Sequence, residues 1–97
     1  MNEQEQQLPA QARTALEKCF AQIRFARATE LAQSRRFVEA EAILSPDGKL
    51  PESPRELDLL ARIAIHDRRF GQAKQLWEQT LKNDPTYEPA RAALAGS

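Results

Sequence analysis

Apolar residues recur at helical spacing along most of this chain, starting just after Pro9. The stretch from Ala10 to Leu44 contains neither glycine nor proline, so the pattern predicts a long helical region. One apolar stripe consists of Ala12, Leu16, Cys19, Phe20, Ile23 and Leu31, and a second of Ala21, Phe25, Ala28 and Ala32. A helix that is apolar on two sides packs between two neighbours, so we expect both stripes to be covered.

Short polar segments divide the chain into further helices. Residues 34–36 are predicted to form a turn, and the helix that follows is stopped by Ser45 and Pro46. Residues 45–53 form the clearest loop, from which we expect Leu50 to reach the core. Ser53 and Glu56 flank Pro54 in a pattern that predicts a capping box at the start of the next helix.

The second half of the chain continues the same alternation of helix and turn. A turn at residues 67–69 precedes a helix that ends before Asp84 and Pro85, and a fifth helix follows Tyr87. The apolar stripe of the fourth helix consists of Phe70, Ala73, Leu76, Trp77 and Leu81, all of which we expect in the core. The sequence therefore predicts an all-α chain of about five helices.

The sequence also repeats itself at a spacing of 33 residues. The tripeptide Arg-Arg-Phe at residues 35–37 recurs at residues 68–70, and Ala40 and Ala28 recur as Ala73 and Ala61. A repeat of this length with two helices per unit indicates stacked helical hairpins, each burying one face against the next.

These positions resemble the tetratricopeptide repeat family over roughly three quarters of the chain. The unit that begins at Pro54 matches the family pattern at Leu57, Leu60, Ala61, Ala64, Phe70, Ala73, Trp77, Leu81, Asp84 and Pro85. It departs from the pattern at Thr80, where the family usually has alanine, and at Arg68, where it usually has glycine.

The resemblance implies a right-handed superhelix of stacked antiparallel hairpins. Its units would span about residues 21–53 and 54–87, with a partial third unit or capping helix at residues 88–97. Together they would form a single domain over residues 9–97, preceded by a disordered tail at residues 1–8.

The resemblance also implies a concave groove that holds a partner peptide or helix. Carried over position by position, the groove consists of Gln22, Phe25, Thr29, Gln33, Arg55, Asp58, Arg62, Ile65 and His66. The Lys/Asn pattern with which some members bind the C-terminal carboxylate of heat-shock chaperones is not reproduced, which disfavours that role. The resemblance thus predicts a protein-binding adaptor or scaffold, and the open C-terminal end near Leu94 leaves room for self-association into a homo-oligomer.

Arginine pairs at the two equivalent turns suggest a different function from that of the protein-binding groove. Stacked repeats would place Arg35, Arg36, Arg68 and Arg69 on one edge, which could bind phosphate, nucleic acid or another polyanion. The competing interpretation, which we favour, is that these side chains are solvated and paired with Glu39, Glu41 or Asp67. Nucleic acid is further disfavoured because basic and acidic residues balance at fourteen each and no base-stacking aromatics accompany the arginines.

Catalytic chemistry has little support in the sequence. His66 next to Asp67 could suggest a general base, but adjacent residues on a helix do not face one another, and a histidine at a helix C-terminus needs no further explanation. Cys19 lies in an apolar stripe, and Asp47 with Gly48 lacks the other ligands of a calcium loop. We therefore expect no enzyme activity, no cofactor and no metal.

Length and termini set the remaining expectations. A chain of 97 residues supports a single core. The polar N-terminal residues carry no signal peptide, and no segment is apolar enough to span a bilayer. We expect a cytoplasmic protein, or the soluble part of a larger or membrane-anchored one.

Overall fold

The computed structural model describes residues 10–96, apart from the side chains of residues 10, 11 and 13. Within that range the chain is all-α, as predicted, and contains no strand. Its five helices are α1 (Ala10–Gln33), α2 (Phe37–Leu44), α3 (Pro54–His66), α4 (Phe70–Asn83) and α5 (Glu88–Ala95), and a 3₁₀ turn at Pro46–Gly48 lies between α2 and α3. The predicted tail at residues 1–8 and the helix start at Pro9 lie outside the described residues.

Consecutive helices pack against one another. α1 packs on α2 and α3 packs most extensively on α4, while α2 also contacts α3 and α5 contacts α4. The core between them consists of Ala28, Ala40, Leu44, Leu57, Leu59, Leu60, Ala61, Ile63, Ala64, Ala73 and Leu76, with Trp77 and Phe37 packed against it. Alanines at the helix contacts allow close approach of the backbones, and leucines fill the space between them.

The two predicted turns have the same backbone geometry. Arg35 and Arg68 adopt left-handed conformations, with φ of 62° and 59°. At the first turn the N–H of Arg36 donates to the carbonyl of Leu31, and at the second the N–H of Arg69 donates to that of Ala64, both at 2.8 Å. These are Schellman closures, in which a glycine usually occupies the left-handed position because it has no Cβ. Glycine at either turn would therefore fit the left-handed backbone better than the arginine that is present.

We expect the Arg68→Gly substitution to stabilise the chain. A non-glycine residue in the left-handed region costs on the order of 1 kcal/mol, and the exposed Arg68 side chain makes no ion pair with the described residues. The free energy of unfolding should rise by about 0.5–1 kcal/mol in urea denaturation. Arg68→Ala is the control, since it removes the same side chain but keeps the strain; an equal gain in both variants would contradict this explanation.

Two residues that we expected in the core are exposed. Leu50 is 51% exposed and Phe70 is 60% exposed, so both predictions are wrong. Phe70 differs from its repeat equivalent Phe37, whose ring stacks on His66 with 5.0 Å between ring centroids. Among the described residues, no ring stacks on Phe70 in the same way. Trp77, by contrast, is partly buried against the core as predicted.

The two apolar stripes of α1 differ in their exposure to solvent. The second is covered, since Ala28 is fully buried and Phe25 and Ala32 pack on the core. The first stripe is largely exposed, so our expectation for it was wrong: Phe20 is 63% exposed and Ile23 is 58% exposed. All side chains from residue 14 to residue 20 of α1 are exposed.

The predicted capping box at the start of α3 does not form. Ser53 occupies the position before Pro54, but in the described structure its hydroxyl makes no capping hydrogen bond. The Glu56 carboxylate, which should have completed the box, instead binds Arg24 of α1. An ion pair with two hydrogen bonds outweighs a single bond to a backbone N–H.

Candidate functional site

A cleft of about 330 Å³ lies between α1 and α3, near the turn that follows α1. We call it the α1–α3 cleft. Its lining consists of Thr29, Ala32, Gln33, Arg35, Phe37, Leu59, Arg62, Ile63 and His66. The structure therefore brings together four of the predicted groove residues, namely Thr29, Gln33, Arg62 and His66. Polar side chains surround apolar ones, which suits a peptide side chain better than a small solvated ion.

A second depression of about 200 Å³ lies nearer the start of α3, between the same two helices. It contains three further predicted groove residues, Gln22, Phe25 and Arg55. The Arg55 guanidinium lies over the Phe25 ring, with its central carbon 4.4 Å from the ring centroid. This cation–π contact covers one face of the aromatic ring, so Phe25 is less available to a partner than the sequence suggested.

The remaining two predicted groove residues lie outside both depressions. Asp58 is 2% exposed, and its carboxylate accepts hydrogen bonds from Arg62 and, at 2.8 Å, from the indole Nε1 of Trp77. Asp58 therefore connects α3 to α4 and stabilises the hairpin. Ile65 is 37% exposed and lines neither of the two depressions.

A second buried carboxylate connects the two hairpins. Glu56 is 1% exposed and accepts hydrogen bonds from Nε and Nη2 of Arg24, at 3.0 and 3.1 Å. Two parallel bonds of this kind fix the orientation of both side chains. The pair holds α1 against α3 and so sets the spacing between the walls of the α1–α3 cleft.

These pairings leave the walls of the two depressions with a positive charge. The acidic residues beside them, Glu56 and Asp58, are buried and neutralised by Arg24 and Arg62. Arg35 lines the α1–α3 cleft and Lys18 the second depression, and neither has an ion-pair partner among the described residues. A partner with carboxylates beside apolar side chains would complement this surface.

Two of the four arginines of the predicted edge, Arg36 and Arg69, are engaged within the chain. Arg36 binds Glu39 through two hydrogen bonds of 2.6 and 2.8 Å. Arg69 donates to Glu41 at 2.7 Å, to Asp67 at 2.8 Å and to Gln72 at 2.7 Å. The hydrogen bond to Glu41 raises the pKa of the Arg69 guanidinium above its usual value. The interpretation of these two arginines as paired turn residues is confirmed.

The histidine and the cysteine have no catalytic partners in the described structure. The His66 ring stacks on Phe37 with 20° between the ring planes, while Asp67 binds Arg69. Cys19 is exposed on α1. Within residues 10–96 there is no cluster of three potential metal ligands.

Several residues of the site were not predicted from the sequence. Phe37, Leu59 and Ile63 form the apolar part of the α1–α3 cleft, and Arg24 holds Glu56. Phe37 belongs to the repeated tripeptide at the turn, and the sequence pattern assigned no role to Leu59 or Ile63. Arg24 and Glu56 are 32 residues apart, and no local pattern indicates such a pair.

Tyr87 lies at the start of α5 and is half-buried. Burial raises the pKa of its phenol above the ordinary value, and the negative charge of Asp58 acts in the same direction. The folded state therefore favours the neutral phenol, and this stabilisation is complete below about pH 10 and is lost as the pH rises through the folded-state pKa.

We expect the Tyr87 phenol to titrate at higher pH in the folded chain than in urea. The chain has one tyrosine, so ultraviolet absorbance of tyrosinate reports Tyr87 alone. An Asp58→Asn variant should move the folded-state midpoint part of the way back toward the value in urea. Identical midpoints in the native and unfolded chains would contradict the burial of this group.

Neither a bilayer-crossing helix within residues 10–96 nor a match to a known protein adds to the description of the site. In the part of the chain that the structure describes, no helix has the length and apolar character needed to cross a bilayer. Comparisons of the chain with protein-family models, with curated proteins and with solved structures give no match.

Proposed function

We propose that this chain is a protein-binding module of the tetratricopeptide type, which holds a segment of a partner protein in the α1–α3 cleft. The observation that carries the proposal is the convergence of Thr29, Gln33, Arg62 and His66 on one cleft. These four residues come from two helices and belong to the groove that the sequence predicts. The chain would act as an adaptor or scaffold, and its effect would be affinity rather than bond chemistry.

The surroundings of the cleft support a peptide-sized occupant. Its floor is apolar, formed by Leu59 and Ile63, and its rim carries Gln33, Arg35 and His66. An apolar side chain of the partner would be buried on the floor, while the rim would bind backbone or carboxylate oxygens. The excess of positive charge favours a partner segment with acidic residues.

The repeat supplies a matched pair of variants to test the proposal. Arg35 and Arg68 occupy equivalent turns and have nearly the same φ, so replacing either with alanine has a similar effect on the backbone. Arg35 lines the cleft, whereas Arg68 does not. We would compare Gln33→Ala/Arg35→Ala with Gln75→Ala/Arg68→Ala in affinity capture from native lysate, with mass spectrometry of the retained proteins.

The proposal predicts a discrete protein that is retained by the wild type and by the Arg68 variant and lost with the Arg35 variant. Retention of the same protein by all three chains would contradict binding in the cleft. Polyanion binding along the arginine edge, the alternative from the sequence, predicts equal losses in both variants and a steep decrease of binding with salt. The intramolecular ion pairs of Arg36 and Arg69 make that alternative the weaker one.

A further inference from the structure

Two helical hairpins make up most of the structure, and each is packed more extensively within itself than against the other. The first hairpin is α1 with α2, closed by the turn at residues 34–36, and the second is α3 with α4, closed by the turn at residues 67–69. The link between them, residues 45–53, is half-buried or exposed throughout and includes the left-handed Asp47 and Gly48. The angle between the hairpins therefore depends on the contacts across their interface rather than on the link.

Open depressions lie on both sides of that interface. The α1–α3 cleft lies on one side, and a depression of about 340 Å³ lies on the other, where its lining includes Glu41 of α2 and Gln72 of α4. Leu59 lines the cleft and Leu60 lines the second opening, since successive residues of a helix point about 100° apart. The apolar contact of α3 with the first hairpin is thus bounded by an opening on each side. Close packing, which would resist a change of angle, is interrupted at both openings.

An arginine–glutamate pair bridges the hairpins on each side of the interface. On the cleft side, Arg24 of the first hairpin donates to Glu56 of the second at 3.0 and 3.1 Å. On the opposite side, Arg69 of the second hairpin donates to Glu41 of the first at 2.7 Å. The hydrogen bond to Glu41 is the largest cause of the raised pKa of the Arg69 guanidinium. Charge-assisted bonds of this kind fix distance and orientation, so they hold the hairpins together where apolar packing is interrupted.

We propose that the two hairpins form an adjustable joint, whose angle is locked by the Arg24–Glu56 and Arg69–Glu41 pairs. When a pair loosens, the hairpins rotate about the apolar contact between them, as rigid elements do in hinged closure around a ligand. The width of the α1–α3 cleft changes with that angle. The joint is a property of the free chain, so it can be tested without a partner and apart from the proposed function.

The two pairs differ in their response to salt. Glu56 is buried, whereas Glu41 and Arg69 are both partly exposed to solvent. The screening length falls to about 3 Å at about 1 M salt, and exposed charges are screened far more than buried ones. High salt should therefore loosen the Arg69–Glu41 pair and leave the Arg24–Glu56 pair largely in place.

Pulsed electron paramagnetic resonance between two spin labels measures the angle of the joint. Ala26→Cys on α1 and Gln75→Cys on α4 place one label on each hairpin at exposed positions, in a Cys19→Ser chain. The unmodified joint should give a narrow distance distribution. Glu56→Gln and Glu41→Gln should each shift or broaden it, because each keeps the shape of the side chain and removes its charge. Salt at about 1 M should have the effect of Glu41→Gln.

Glu39→Gln is the matched control for the loss of a paired carboxylate. Glu39 accepts two hydrogen bonds from Arg36, but both residues belong to the first hairpin, so the distribution should stay unchanged. A second pair of labels, Ile65→Cys with Gln75→Cys, lies within the second hairpin and should also give an unchanged distribution in every variant.

Three results would overturn the proposal. The first is an unchanged distribution between positions 26 and 75 in either Glu56→Gln or Glu41→Gln. The second is an equal change in Glu39→Gln, which would show that loss of any paired carboxylate has the same effect. The third is an equal change between positions 65 and 75, because the second hairpin would then not move as a unit.

Discussion

Replacing Leu57 with alanine should lower the free energy of unfolding by about 3 kcal/mol, which is a large part of the stability of a chain of this size. Leu57 is 0% exposed and is one of the largest fully buried side chains. It lies on α3, the helix that packs both on α4 and on α2. Truncation removes the transfer energy of the side chain and leaves a cavity that the surrounding helices cannot fill completely. Urea denaturation followed by circular dichroism measures the loss.

Leu50→Ala is the control for this prediction. The sequence placed Leu50 in the core, whereas the structure leaves it 51% exposed in the loop before α3. The same truncation there should change the free energy of unfolding by no more than about 0.5 kcal/mol. Comparable losses in the two variants would contradict the packing described here.

Replacing Asp58 with alanine should have the second largest effect, a loss of about 2–3 kcal/mol. Its carboxylate is buried and accepts the indole N–H of Trp77 at 2.8 Å. Without it, that N–H loses its acceptor in a partly buried site, and this desolvation cost accounts for most of the expected loss. The ion pair with Arg62 contributes less, because the Arg62 side chain is 60% exposed and screened by water.

A double-mutant cycle isolates the bond between Asp58 and Trp77. Trp77→Phe keeps most of the ring packing and removes the donor. In that background, Asp58→Ala should cost about 1–2 kcal/mol less than in the wild type. Strictly additive losses would show that the two side chains do not interact and would contradict the hydrogen bond described here.

The features that the sequence predicted well are local ones. Helix limits follow from the prolines and polar turns, and the left-handed turns recur because the same tripeptide recurs after 33 residues. The pairing of Arg36 with Glu39 needs only three residues of spacing on one helix. Such patterns depend on backbone geometry alone, so they can be recognised before any packing is known.

The features that the sequence failed to predict depend on what lies across from each residue. Periodicity placed Phe20 and Phe70 on apolar faces, but it could not show whether another helix covers those faces. The sequence predicted that Glu56 caps the start of its own helix. Its carboxylate instead binds Arg24, which is distant in the chain. Asp58 was placed in the groove by its repeat position, and its burial results from contact with Trp77 on the neighbouring helix.

The most direct measurement of the central claim, that the α1–α3 cleft binds a partner protein, is site-specific photo-crosslinking in cells. A photoreactive amino acid would replace Gln33, which lines the cleft, or Gln75, an exposed residue of α4 outside it. We predict a discrete crosslinked protein from position 33 that is absent from position 75. The same crosslinked species from both positions, or none from position 33, would contradict the claim.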